Sequence, residues 1–313
     1  MTILSNQLTL LEELVVEQGS LIKDLATLQL ELRKTLYSKN TGYAVIIKGD
    51  AGTGKTTLVK KFKENAEQHL VDMKETADIV YLETPANPVG KDLYVALLEA
   101  LGTPCKSMKK IESLTEREQK REIIEIIKNR NIRVLILDEF QHATEKLGDK
   151  KMRITSDFLK AIINTFPILL IFAGTEKVRR LLDNEQFESR TSIINKQAIN
   201  INCEKQYVEY ANYLLTIQSH LELKDIELNT HNYALPIFYE SRGDLRVITD
   251  IIQTALMEAD TKESSSLRRR HFVDSWKPRF RPQTGAKVPF RGNPWRKYTE
   301  QLMNALDINY DIN

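Results

Sequence analysis

Apolar residues recur with two different periods along this chain, and the switches between them mark its organisation. Near the N-terminus Leu8, Leu11, Val15, Ile22, Leu25 and Leu32 fall at spacings of three, four or seven. That is the period of a helix with one buried stripe, so helix is predicted over 5–38 with a break at Gly19-Ser20. Short apolar runs then alternate with helical stretches. Strands are expected at 43–48, 78–83, 133–137 and 168–173, with a weaker one at 192–201. Helices are expected from 55 to about 69, over 90–101 and over 155–165. Another opens at Thr115-x-x-Glu118, which has the form of a capping box, and runs to 129. Strands alternating with helices imply a mostly parallel sheet covered on both faces. From 206 to 259 the period is helical throughout, as expected of a separate small bundle.

The first apolar strand runs directly into Gly49-Asp50-Ala51-Gly52-Thr53-Gly54-Lys55-Thr56, with Thr57 continuing into the next helix. The spacing matches G-x-x-x-x-G-K-[ST] in full. Its glycines let the backbone curl so that N–H groups point inward at phosphate oxygens, backed by a helix N-terminus. Lys55 would reach the β- and γ-phosphates of ATP, and the Thr56 hydroxyl would ligate magnesium. The fold class is therefore α/β, built on a P-loop.

Val134-Leu135-Ile136-Leu137-Asp138-Glu139 supplies the expected second half. A buried strand would deliver Asp138 to the magnesium shell, and Glu139 would polarise the attacking water. Asp138 to His142 also reads D-E-x-x-H. No later helicase-type arginine motif or second P-loop-like domain follows, which disfavours a helicase.

Composition adds limits. In 313 residues, 42% of them apolar, no run approaches the roughly 18 to 20 apolar residues of a membrane span. No basic segment precedes an apolar core at the N-terminus, so a cytoplasmic protein is expected. Cys105 and Cys203, the two cysteines, are far apart and suit neither a metal site nor a disulfide scaffold. The net charge of +2 conceals an asymmetry. Between Ser264 and Lys297 ten Lys or Arg stand against Asp274 alone, a local +9, which leaves the remainder at 2 − 9 = −7. Four of the nine prolines and both tryptophans lie in that segment. It is expected to be an extended tail, either binding DNA phosphate or, the favoured reading, docking a partner through Phe272, Trp276, Phe280, Phe290 and Trp295.

Three weaker features follow the P-loop in order. Gly174-Thr175 ends a sheet strand, Glu188-Ser189-Arg190 precedes the fifth strand, and Gly243-Asp244-Leu245-Arg246 opens a helix in the bundle. Together they resemble sensor 1, the arginine finger and sensor 2 of AAA+ ATPases. The resemblance implies that Thr175 helps position the water, that Arg190 acts on a neighbouring subunit's nucleotide, and that Arg246 reaches the phosphates from a lid. An arginine supplied across an interface makes hydrolysis depend on a homo-oligomer, a ring or filament.

Within AAA+, residues 41–201 resemble the TniB/TnsC branch of transposon ATPases, related more distantly to MuB and IstB. The resemblance rests on the P-loop, on Leu137-Asp138-Glu139-Phe140-Gln141-His142, on Phe172-Ala173-Gly174-Thr175, and on Asp183-Asn184-Glu185-Gln186-Phe187-Glu188-Ser189-Arg190. It implies an ATPase that assembles on duplex DNA, marks a target and recruits a transposase, alongside target-selector proteins. In TnsC-like proteins DNA is gripped by loops after the second strand. Val89-Gly90-Lys91-Asp92-Leu93 resembles one, with Lys91 the candidate contact. The stretch 103–110, with Lys106 and Ser107, resembles the other. Expected divisions are an N-terminal helical segment (1–40), the AAA+ domain (41–204), a helical lid (205–262) and the basic tail (263–313). A helicase loader or initiator of another AAA+ branch, and a nucleotide-holding signalling switch of the STAND type, are the alternative functions.

Overall fold

The structure is a computed structural model that describes residues 3–14, 16, 19–73, 76–86, 88, 92–102, 108–183, 188–201, 204–276 and 289–291. Lys91, Lys106, Ser107, Phe280 and Trp295, named above, lie outside the described residues. The chain forms two compact units, residues 20–196 and residues 1–19 together with 197–313.

The first unit is an α/β layer structure. Its strands are β1 (Tyr43–Lys48), β2 (Asp78–Glu83), β3 (Ile132–Asp138), β4 (Leu169–Gly174) and β5 (Thr191–Asn195). All pair in parallel, in the order β2-β3-β4-β1-β5. Alternation along the strands feeds two cores. Ala44, Ile46, Leu135, Leu137, Leu170 and Phe172 face one, and Val45, Ile47, Val134, Ile136, Leu169 and Ile171 face the other. Both faces being covered explains why these strands read as continuous apolar runs. The first core is closed by α4 (Asp92–Ala100), α6 (Glu116–Asn129) and α8 (Asp149–Thr165) through Leu97, Ile123 and Ile162. The second is closed by α2 (Gly19–Tyr37) and α3 (Lys55–Asp72) through Leu28, Leu32 and Phe62. Phe62 is fully buried, so truncating it to Ala would cost about 3–5 kcal/mol.

The capping box forms as expected. Thr115 Oγ1 accepts the Glu118 N–H, and the Glu118 carboxylate accepts the Thr115 N–H. Two boundaries differ from the pattern by six residues. Helix α8 starts at Asp149, six residues early, because its first turn is polar and shows no apolar period. Strand β5 stops at Asn195, because β1, its one partner strand, ends at Lys48 where the P-loop begins. Helices α5 (Met108–Ser113) and α7 (Gln141–Lys146), and a 3₁₀ helix at Glu176–Asp183, are too short to carry a legible period.

The second unit is helical. It contains α1 (Ile3–Glu13), α9 (Glu204–His220), α10 (His231–Ser241), α11 (Leu245–Thr261) and α12 (Arg269–Asp274). Leu11 packs in its core with Tyr210, Phe238, Ile252 and Leu256. The segment 1–40 is thus shared, α1 belonging to this core and α2 to the sheet. The tail also contributes to packing, contrary to the expectation from its prolines and charge. Leu267, Phe272 and Phe290 are buried in the helical core, and Phe272 stacks on Phe290 with ring centroids 5.0 Å apart. Apolar burial outweighs the surrounding charge at these positions, which removes both phenylalanines as free anchors for a partner.

Candidate nucleotide site

The chemistry-bearing residues of the first unit collect at the C-terminal edge of three neighbouring strands. The glycine loop follows β1, Thr175 follows β4, and Asp138-Glu139 ends β3. Neighbouring strands lie about 4.8 Å apart, so β1 and β3 are separated by about 10 Å, room for a phosphate and a hydrated cation. Ligands of open α/β sheets bind at this edge.

The loop has the required backbone. Gly52 and Gly54 adopt φ of 73° and 81°, the left-handed region in which a side chain is strained. Gly49 is a glycine for a different reason, since a Cβ there would collide with the Lys196 carbonyl oxygen at the end of β5. Its N–H donates to the Gly174 carbonyl at 3.1 Å, tying the loop to β4. Lys55, 6% exposed, turns its Nζ back onto the Gly49 and Asp50 carbonyls at 2.8 and 2.7 Å. The Thr53 hydroxyl also donates to Asp50 O, at 2.8 Å. Thr56 and Thr57 lie in the first turn of α3. Lys48, the last residue of β1, pairs at 2.7 Å with Glu176 beyond β4 and holds that carboxyl below its usual range.

Asp138 is 1% exposed. Its Oδ1 accepts the Glu139 N–H at 2.8 Å, and its Oδ2 accepts the Tyr81 hydroxyl at 3.0 Å. Burial, followed by the Asp138 charge, pushes the Tyr81 hydroxyl well above the usual phenolic range, so it stays a donor. Glu139 sits at φ 51°, unusual for a non-glycine residue. Its carboxylate accepts the side-chain amide of Gln141. His142 follows in α7, its N–H donating to the Glu139 carbonyl at 3.0 Å.

Two buried hydroxyls at this edge, Thr84 Oγ1 after β2 and Thr175 Oγ1 after β4, have no hydrogen-bond partner among the described residues. Buried polar atoms rarely stay unsatisfied. Together with the glycine cradle, they fit a site that receives a polar ligand. The residues that would hold magnesium are Asp138, which ends β3, and Thr56, in the first turn of α3. No cluster of three or more His, Cys, Asp or Glu occurs among the described residues.

Arg190 stands at the opposite edge. Its carbonyl accepts the Ala44 N–H at 3.0 Å at the start of β1, and its guanidinium donates to Asn164 at 2.6 Å. From Ala44 to Gly49 the strand rises about 17 Å at about 3.3 Å per residue, so Arg190 is remote from its own glycine loop. Arg246 belongs to the helical unit. It is exposed in the first turn of α11, behind the Asp244 N-cap, whose carboxylate accepts the Arg246 N–H at 2.9 Å.

A cavity of about 440 Å³ lies beside the β2–α4 connection, lined by Pro88, Lys146, Leu147, Gly148, Asp149, Lys150 and Lys151. The three lysines are exposed and have no ion-pair partner among the described residues. Asp149 is paired with Arg180 at 2.5 Å, and Glu145 with Lys177 at 2.9 Å.

Sequence reasoning missed Tyr81 and passed over Gln141, although Gln141 stood inside a quoted motif. Tyr81 looks like any residue of an alternating strand, and only its pairing across β3 distinguishes it.

The family described as bacterial TniB protein matches residues 22–198. Among curated protein sequences none matches. Three solved structures share the fold. The Aeropyrum pernix ORC1 protein in complex with DNA aligns with TM-score 0.62 and 16% identity, covering 83% of this chain and 65% of that one. Cdc6p from Pyrobaculum aerophilum aligns with TM-score 0.62 and 17% identity over 85% of this chain and 69% of that one. The ADP form of the Aeropyrum pernix ORC2 protein gives TM-score 0.62 and 16% identity over 84% and 68%. This chain spans less than two thirds of the ORC1 chain. No helix among the described residues is long and apolar enough to cross a membrane.

Proposed function

Because the chain belongs to the TniB family, with the P-loop α/β fold of AAA+ ATPases, we propose that it is an ATP-hydrolysing regulator of DNA transposition that assembles on duplex DNA and engages a transposase. The observation that carries hydrolysis is the convergence of the glycine loop, Asp138-Glu139 and the unpartnered Thr175 hydroxyl on one sheet edge. Lys55 and the loop N–H groups would bind the phosphates, and Thr56 with Asp138 would hold magnesium. The cation, when bound, neutralises charge developing on the phosphate oxygens. Glu139 would accept the proton of the attacking water, and Thr175 would orient that water.

Assembly is supported by the remoteness of Arg190 from its own loop, which leaves it suited to a neighbour's nucleotide. Arg246 would close on the phosphates from the helical unit. DNA binding is supported by the candidate lysines Lys91 and Lys106, with Ser107 a neutral donor. Lys146, Lys150 and Lys151, without an ion-pair partner among the described residues, add positive charge beside Pro88 in the β2–α4 connection, the connection that also holds Lys91, and the fold is shared with an ORC1 protein solved in complex with DNA.

The test is ATP turnover with and without duplex DNA, together with nucleotide binding. Wild type should turn over and be stimulated by DNA. Lys55→Ala should lose nucleotide binding, while Glu139→Gln should bind ATP and magnesium but not turn over. A protein that binds nucleotide without any turnover on DNA would instead be a switch. Turnover by Glu139→Gln at the parental rate would remove Glu139 from its role.

A further inference from the structure

Gln141 is the one member of the Leu137–His142 motif whose side chain touches both elements that would handle the attacking water. Its Nε2 donates to Glu139 Oε2, and its Oε1 accepts the Thr175 N–H at 3.3 Å. The amide orientation follows from its partners, since a carboxylate can only accept and a backbone N–H can only donate. The side chain is 7% exposed, so neither bond competes with bulk water. The backbone also makes room for it. A Cβ on Gly174 would collide with Gln141 Oε1 and with Val178 Cγ2. The absence of a side chain at Gly174 therefore lets the amide bridge the ends of β3 and β4.

From this geometry we infer that Gln141 is a positioning residue for the hydrolytic water. It fixes the carboxylate of Glu139 and the backbone of Thr175 as one unit. The inference rests on the reading of Glu139 as the base. In the step it serves, the water oxygen bonds to the γ-phosphorus as the bridging bond to the β-phosphate oxygen breaks. The water proton passes to Glu139. With Oε2 held by the amide, Glu139 Oε1 is left for that proton, and the Thr175 hydroxyl, buried without a hydrogen-bond partner among the described residues, belongs to the residue whose N–H the same amide accepts. Glu139 needs such a hold. It sits at φ 51° in a turn between strand and helix, and a glutamate has three rotatable side-chain bonds. An orienting partner for a base is a recurring requirement of proton transfer.

Gln141→Met keeps the length of the side chain and removes both hydrogen bonds. Its kcat should fall about 10- to 100-fold, the usual effect of losing an orienting partner. KM for ATP and affinity for a non-hydrolysable analogue should stay within about twofold, because these two side-chain hydrogen bonds of Gln141 go to Glu139 and Thr175 and not to the glycine loop. Gly174→Ala displaces the same amide by a different route and should reproduce the kcat loss, which guards against a packing defect in either variant. Combined with Thr175→Ala, Gln141→Met should cost less than the product of the single effects, since both act through one water. Unchanged or raised turnover in Gln141→Met, a parallel loss of nucleotide affinity, or strictly multiplicative effects would each overturn the assignment. Glu139→Gln separates the two levels. If it is inactive while Gln141→Met is normal, only this inference fails; if it is active, the reading of the base fails first.

Discussion

The Tyr81 hydroxyl on β2 donates to Asp138 Oδ2 at the end of β3, across 3.0 Å. A carboxylate buried to 1% exposure needs partners for its oxygens, and this bond supplies one. Tyr81→Phe should therefore raise the magnesium concentration for half-maximal ATP turnover by about tenfold. Nucleotide binding without magnesium should stay nearly constant. Because the Tyr81 pKa is raised, the stabilisation from its neutral form is complete below the unfolded value of about 10 and is lost above it. The difference between variant and wild type should accordingly be flat through neutral pH. A magnesium titration with no shift would remove Tyr81 from this role.

Arg190 lies at the edge of the sheet away from the glycine loop, beside Ala44 and Asn164. If it serves a neighbour, inactive Arg190→Ala and inactive Lys55→Ala subunits should complement when mixed. The first binds ATP and the second supplies the arginine. Turnover by mixtures should exceed the sum of the separate activities. Strict additivity at every ratio would count against a composite site.

Outside residues 264–297 the chain carries a net charge of −7 (2 − 9), so a lone subunit should bind duplex weakly. An assembled, ATP-bound form would line up Lys91 and Lys106 from successive subunits along one phosphate track. Each contact contributes about −0.9 to the log–log salt slope. Lys91→Ala with Lys106→Ala should flatten that slope in the presence of an ATP analogue and weaken all duplex sequences alike. Titrations at several salt concentrations check this, and an unchanged slope would sink the assignment of these lysines.

His271 is fully buried in the helical unit, and its Nδ1 accepts the Arg268 N–H at 3.0 Å. Burial first, then the charges of Arg270 and Lys262, hold its pKa below the ordinary value. A depressed value means that the fold favours the neutral ring. The resulting stability is present above the unfolded value of about 6.5 and is lost as pH falls through the folded one. Melting temperature should drop on acidification from about pH 7.5 to pH 5. His271→Asn, which keeps an acceptor and does not titrate, should show a smaller drop. Equal pH dependence in both proteins would exclude His271 as the source.

The sequence by itself determined what contiguous residues and local period can encode. The glycine loop at 49–56, the carboxylate pair at 138–139 and the first strand at 43–48 were legible because each is specified within one short segment. Tertiary structure alone decided which distant side chains meet. Tyr81 reaches Asp138 because β2 and β3 are hydrogen-bonded neighbours, and Gln141 reaches Thr175 because β4 lies next to β3. Neither order is written in the spacing of apolar residues. The same limit hid the division of the N-terminal helices, whose stripes look alike although Leu11 and Leu28 enter different cores. It also hid the burial of Phe272 and Phe290 within a basic, proline-rich segment. Period reports that a face is apolar, while the surface it is buried against is set by contacts among residues far apart in the chain.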